Sequence, residues 1–317
     1  MATVAKALRL GTRASKLARW QADWVAARLA ERGHAVEIVE ITTAGDEQQL
    51  GPVADIGAPG VFTKEIQRAV QSGHVDFAVH SLKDLPTDVI AGLMLAAVPP
   101  RESPADVLVV GSRGQGAGSK ADSVIGWLPA AARVGTGSLR RQAQLRHVRP
   151  DLVVENIRGN VDTRLRKLDQ GQFDAIVLAE AGLRRLGLTE RITERLPFDV
   201  MLPAVGQGAL GIECRTEDAA TLSALAAIDD PSAHVEVLAE RALLAHLRGG
   251  CLAPIGALAQ IASGRLQLSA VVLSRDGARR LAVRDEASPV DALELGRKVA
   301  EALLQQGAAE LIAESRG

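Results

Sequence analysis

The chain has 317 residues, too many for one ordinary hydrophobic core, and its 47% hydrophobic and 24% charged residues are those of a folded globular protein. With 37 Lys and Arg against 38 Asp and Glu the formal charge is −1, and aromatic residues are 2% with no Tyr, so neither a basic field nor stacking platforms point to nucleic acid. The N-terminal residues show no apolar signal segment, no stretch approaches the roughly 18 apolar residues of a membrane span, and two cysteines are too few for a disulfide framework; a cytoplasmic protein with free thiols and no membrane partner is expected.

In chain order, a short apolar strand at residues 8–10 runs into GTRAS, after which Leu17, Trp20, Trp24, Val25 and Ala27 recur at helical spacing up to Gly33. Residues 36–43 are β-branched enough for a buried strand, 64–71 form a short helix and 76–80 the next strand. Between them, 45–60 is rich in Gly and Pro without periodicity and long enough to be a lid over a site. The stiff PPRESP segment marks a domain boundary near residue 104. A second α/β unit follows, with strands at 107–110, 152–155 and 174–179, helices at 161–168 and 181–186, and the turn GTGSLRR after Val134. Residues 202–215 read as a strand that returns to the first domain. A long helix from Pro231 to Leu247, the break Gly249-Gly250-Cys251, strands at 266–273 and 280–283 and a helix at 292–305 make a small α+β domain. The partition expected is 1–104 plus about 205–228, then 105–204, then 229–317. Alternating strands and helices imply parallel-type sheets, with ligands where strands end and helices begin.

GTRAS and GTGSLRR both fall at such points. The first puts Thr12, Arg13 and Ser15 at a helix N-terminus, which suits either an anion or a plain N-cap beside an exposed arginine. The second repeats the design with Thr136, Ser138, Arg140 and Arg141. Two arginines at a helix start oppose its dipole, at about 0.3 to 1 kcal/mol each, and are better explained if they meet anions. Arg158 in IRGN and Arg164 extend the basic neighbourhood, so a ligand with several negative groups is implied. In HSLKDLP, Ser81, Lys83 and Asp84 follow a strand. Lys83 and Asp84 are either a surface charge pair or, in an enclosed site, a place where Asp84 stabilises a developing cation by roughly 4 kcal/mol at 4 Å and an effective dielectric near 20. Cys251 lies among glycines and reads as an accessible thiol; Cys214 in LGIECR reads as a buried structural one. No histidine pair has metal-ligand spacing, so no metal is expected.

GTRASKLA, GVFTKEIQ, DFAVHSLKDLPT, VGTGSLRRQAQL, IRGNVDTRLRKLD, DAIVLAEAGLRRLGL, LPAVGQGALGIECR and AERALLAHLRGGCLAPIG, in this order, resemble the porphobilinogen deaminase (hydroxymethylbilane synthase) family across nearly the whole chain. The resemblance implies an α/β fold of three domains, the first two like type II periplasmic binding proteins with a cleft between them and the third a small α+β domain. It implies a transferase that condenses four porphobilinogen molecules with loss of ammonia and then releases hydroxymethylbilane, working on one dipyrromethane cofactor joined by a thioether to Cys251. Asp84 would be catalytic. Ser81, Lys83, Thr136, Ser138, Arg140, Arg141 and Gly159 would hold the cofactor, and Arg13, Ser15, Arg158, Arg164 and Arg185 the substrate. The protein would be a monomer that hands its product to uroporphyrinogen-III synthase. This chain departs from the family in having Asp55 and Pro59 where many relatives carry lid lysines, leaving only Lys64 as a candidate there, and in having Gly137 where GTSSLRR is usual. Two rival readings are a binding module that holds a small carboxylate without catalysis, and a thiol enzyme using Cys251 with a histidine base.

Overall fold

The computed structural model describes residues 7–43, 63–112, 125–126, 128–249 and 253–315. The expected lid at 45–60, residues 113–120 of the glycine-rich loop, and Cys251 lie outside the described residues. The chain forms two compact units, Met1–Glu102 with Ala209–Val235, and Ser103–Gly208 with Glu236–Gly317.

In the first unit, β1 (Leu8–Thr12) leads to α1 (Lys16–Ala30), β2 (Val36–Glu40), α2 (Lys64–Gln71), β3 (Phe77–Ser81), a 3-10 turn at Leu82–Asp84 and β4 (Leu93–Ala97). The second unit opens with β5 (Asp106–Val110), then β6 (Arg133–Gly135), α3 (Leu139–Val148), β7 (Val153–Glu155), α4 (Val161–Asp169), β8 (Ala175–Ala179), α5 (Glu180–Arg185) and β9 (Glu194–Arg195). The chain then returns to the first unit as β10 (Leu210–Arg215), followed by α6 (Ala219–Ala226) and α7 (Pro231–Leu247). The return is shorter than the expected strand at 202–215. Residues 202–209 turn instead, with Gly206 and Gly208 at φ 71° and 86°.

The two five-stranded sheets match position by position. The first has the order β2-β1-β3-β10-β4 and the second β7-β6-β8-β5-β9. In each, three parallel strands are joined by helices, and an antiparallel strand contributed from the far side of a crossover fills the fourth place. The sequence shows no such duplication, because the apolar strand positions satisfy it with different residues. Leu10, Val25, Leu29, Phe77 and Ile212 build one core around the first sheet. Leu108, Val134, Leu145, Ala175 and Val177 build the corresponding one in the second. Parallel strands β1 and β3 end on the same side of their sheet, so the turns that follow them meet.

The C-terminal strands β11 (Ile255–Ala262), β12 (Arg265–Leu273) and β13 (Arg280–Ala287) form an antiparallel meander, covered by α8 (Ala292–Gln305) and joined by α9 (Ala308–Glu314). Ala143 on α3 shares a buried cluster with Leu258, Val271 and Leu273, which places this meander in the second unit. Cys214 is fully buried on β10, and burial pushes its thiol up to about 11, in keeping with a structural role. Among the described residues no helix is long and apolar enough to cross a membrane, and no cluster of His, Cys, Asp and Glu has the makings of a metal site.

Candidate active site

In the first unit the chain leaves β1 with Thr12 buried, its hydroxyl donating to the Ala18 carbonyl at 3.2 Å. Ser15 caps α1, accepting the Ala18 N–H at 3.3 Å. Arg13 sits between them, half-buried. From the neighbouring strand β3 come Ser81 and the 3-10 turn that carries Lys83 and Asp84. Gln21 on α1 is buried and donates to Ser81 Oγ at 2.7 Å, tying the two turns together. Arg13, Ser15, Gln21, His80, Ser81 and Asp84 line one solvent-open cavity. The two segments singled out in the sequence, GTRAS and HSLKD, are thus brought to one place. Asp84 is exposed at its edge. A cation, several hydroxyls and one carboxylate facing a common space suit a ligand that has acidic side groups and develops positive charge.

In the second unit the equivalent turn after β6 is wired differently. Thr136 is buried, its N–H donating to the Glu155 carbonyl at 2.9 Å and its Oγ1 accepting the Ser138 N–H at 3.3 Å. Ser138 caps α3. Arg140 and Arg141 were expected to meet ligand anions because they oppose the helix dipole. The anion they meet is internal. Arg140 Nη1 lies 2.7 Å from Asp106 Oδ2, and Arg141 donates to Asp106 Oδ1 from Nε at 3.0 Å and Nη2 at 2.7 Å. The arginines are 4% and 5% exposed and Asp106 not at all. The dipole argument therefore does not by itself require an outside ligand. Burial works to raise the Asp106 pKa, but the charges of Arg140 and then Arg141 outweigh it and hold the carboxyl well below its usual range. Gln207 adds a hydrogen bond to Asp106 Oδ1 at 2.8 Å, and Arg140 also donates to the Leu202 carbonyl at 2.6 Å. Two guanidiniums share one carboxylate, so a unit of positive charge is left over in a buried place, and among the described residues Arg140 Nε is buried without a hydrogen-bond partner. Both features suit an added carboxylate.

The remaining expected residues fall into the same unit. Gly159 has φ 108°, and a Cβ there would lie 2.6 Å from Thr163 Cγ2, so the turn needs glycine. Arg164 Nε donates to the Gly159 carbonyl at 2.8 Å and braces that turn, while Arg158 is exposed beside it. Arg185 is nearly buried, with Nη2 donating to the Gly208 carbonyl at 2.6 Å. Gly137 lies where a Cβ would be 3.0 Å from the Ile157 carbonyl oxygen.

Residues 8–223 match the family model described as porphobilinogen deaminase, dipyromethane cofactor binding domain, and residues 234–305 match the porphobilinogen deaminase C-terminal domain. The chain belongs to the porphobilinogen deaminase family. Its family relatives include the porphobilinogen deaminase of Pelobacter propionicus, 48% identical over 97% of this chain and 96% of its own length. The porphobilinogen deaminase of Desulforudis audaxviator is 51% identical over 97% of each chain. Among solved structures, the periplasmic VFT2 domain of Bordetella pertussis BvgS overlays with a TM-score of 0.40 at 16% identity, over 70% of this chain and 86% of that one.

Three features of this member of the porphobilinogen deaminase family were not singled out in the sequence. Asp106 is 34 residues from Arg140, and nothing in the ESPAD stretch marks it as the partner. Gln21 looks like any polar residue of an amphipathic helix. Glu213 reads as the outward position of a strand, yet it is 7% exposed and packs beside His80. Burial of a charged residue on both faces of a covered sheet is invisible to alternation alone.

Proposed function

We propose that the chain is a transferase that joins four porphobilinogen molecules head to tail, releasing one ammonia at each addition, and then frees the product as hydroxymethylbilane. The observation that carries this reading is the cavity in which Asp84 faces Arg13, Ser15 and Ser81, in a chain of the porphobilinogen deaminase family. Each pyrrole unit brings an acetate and a propionate, which Arg13 can pair and Ser15 and Ser81 can hydrogen-bond. Asp84 stabilises the cation left when the aminomethyl group departs as ammonia. A negative group held there acts where charge develops; removal of one donor of an oxyanion hole, the analogous preorganised group for a developing anion, costs about 10² to 10³ in rate.

The residues of the second unit fit a dipyrromethane cofactor, whose side carboxylates would meet the surplus positive charge at Arg140 and Arg141, the hydroxyls of Thr136 and Ser138, and the Gly159 turn. Bound through a thioether to Cys251, it supplies the pyrrole end to which substrate is added. Arg158, Arg164 and Arg185 would serve the substrate's carboxylates. We place the reaction in the cytoplasm in a monomer, with uroporphyrinogen-III synthase as the consumer of the product.

The test is the intact mass of the purified protein beside Cys251→Ser, together with incubation with porphobilinogen. A mass excess of two linked pyrrole units, absent from the variant, with ammonia and porphyrinogens appearing only for the unaltered chain, is expected. Binding of porphobilinogen without ammonia release would leave a carboxylate-binding module and overturn the assignment.

A further inference from the structure

Beneath the cavity lies a titratable pair that the reading above does not use. His80 and Glu213 sit on antiparallel neighbours, β3 and β10. Glu213 is opposite Ala78 and Gly211 opposite His80, so the two side chains are diagonal neighbours on one face of the sheet. His80 Nε2 is 3.1 Å from Glu213 Oε2, with side chains 4% and 9% exposed. The approach is close enough for charge attraction but too poorly aligned for a hydrogen bond, and among the described residues His80 Nε2 has no hydrogen-bond partner. From α2, Gln67 Nε2 reaches both Glu213 oxygens, at 3.2 and 3.1 Å. Arg13 and Asp84 line the same cavity as His80, Lys83 precedes Asp84 in the chain, and Glu65 on α2 has its Oε2 buried with no hydrogen-bond partner among the described residues.

His80 lines the cavity with Asp84, one residue before Ser81 on the strand that delivers them. Its charge therefore matters to any cation formed there. An imidazolium alone would oppose that cation; beside a carboxylate it adds no net charge, and after losing its proton the pair is negative and assists.

We propose that Glu213 is a positioning residue for the reaction at Asp84, acting through His80: it holds the ring in place and keeps the cavity floor neutral or negative while a cation forms above it. The proposal rests on the deaminase reading. Glu213→Gln, which removes the charge beside the ring, should lower kcat severalfold and leave KM little changed. Gln67→Met, which removes the donors that hold the carboxylate, should lower kcat by less, and Glu213→Asp should restore part of the loss. In a chain that already carries His80→Gln, Glu213→Gln should have no further effect.

The experiment is kcat and KM for porphobilinogen in the holoenzyme and these variants, paired with NMR spectra of the imidazole protons in which His80 is identified among the six histidines by its loss in His80→Gln. The expected result is a severalfold lower kcat in Glu213→Gln with KM little changed, no further loss when it is combined with His80→Gln, and a displaced His80 resonance in the Glu213 and Gln67 variants. If the two losses multiply in the double variant, or if Glu213→Gln matches the unaltered enzyme, the proposal is wrong. If Glu213→Gln fails to fold, Gln67→Met with and without His80→Gln decides in the same way. An unaltered protein that releases no ammonia would instead sink the functional reading, whatever the resonance does.

Discussion

The turn after β1 and the turn after β6 occupy the same place in two sheets of the same strand order, start with the same Gly-Thr, and end on a serine that caps the next helix. They handle charge in opposite ways. In the first, Arg13 stays half-buried at the rim of an open cavity, facing Asp84 across it. In the second, Arg140 and Arg141 are drawn inside and locked onto Asp106. The difference comes from the antiparallel guest strand. Where β5 enters the second sheet it brings Asp106 under the helix start. β10, in the equivalent place of the first sheet, sets Leu210 opposite the last residue of β3, where β5 sets Asp106 opposite the last residue of β8; its Glu213 lies further along the strand, against His80 and Gln67. One turn thus leaves its cation at an open rim, and the other fixes its cations in the interior.

The largest expected effect tests that distinction. Arg141→Leu removes the guanidinium that gives Asp106 two of its hydrogen bonds, and breaking a buried pair from one side costs about 3 to 5 kcal/mol. Because Arg140 remains, the loss should fall at the lower end of that range, measured by denaturant unfolding. Arg13→Leu, at the equivalent turn, replaces a half-buried side chain at an open rim and should cost no more than about 1 kcal/mol, and should instead raise KM for porphobilinogen. Equal stability losses would erase the contrast between the turns.

Asp84→Asn should reverse the pattern. The side chain is exposed, so the melting temperature should be unchanged, while kcat falls by about 10² or more. Near-normal turnover would remove Asp84 from the chemistry and leave the first cavity as a binding site only.

Acid unfolding sharpens the comparison further. The Asp106 carboxyl is held below its unfolded value of about 3.9, so its stabilisation is complete above roughly pH 4 and is lost as the pH falls toward the folded value. Stability of the chain should therefore drop on acidification below about pH 4. Asp106→Asn, already weaker at pH 7, should show a flatter decline over that range, read from denaturant melts at several pH values. An identical slope would mean that other carboxylates carry the acid sensitivity.

Much of this was open to a reader of the sequence, and the parts that were not share a cause. The helix at 64–71, the strands around 8–10, 76–80 and 107–110 and the closing helix at 292–305 follow from local periodicity, and the structure places them within a residue or two. GTRAS, HSLKD and GTGSLRR were legible because each puts special residues at a strand end. β4 and β11 were missed because LMLAA and IGALAQIA carry small or unpatterned residues whose strand state is fixed by pairing, not by propensity. The arginines of GTGSLRR read, from the sequence, as needing the anions of a ligand. That the anion is supplied by Asp106, far off in the chain, is a tertiary fact with no local signature.

The smallest expected effect concerns the one place where this chain departs from the usual motif within that turn. A Cβ at Gly137 would come 3.0 Å from the Ile157 carbonyl oxygen, tighter than ordinary contact but not a collision, and nothing else lies nearer than Arg164 Nη2 at 4.0 Å. Restoring the serine in Gly137→Ser asks the 157–159 segment to give by a few tenths of an ångström. That segment is braced by Arg164 on the Gly159 carbonyl and by Asn160 capping α4, so the strain should persist. Against it stands the smaller unfolded-state entropy of a residue with a side chain, worth about 0.4 to 1 kcal/mol. The two should nearly cancel, leaving a change within about 1 kcal/mol in a denaturant melt. A loss well beyond that would show that the turn after β6 is as rigid as its buried arginines suggest, and a clear gain would show that it yields more readily than the brace implies.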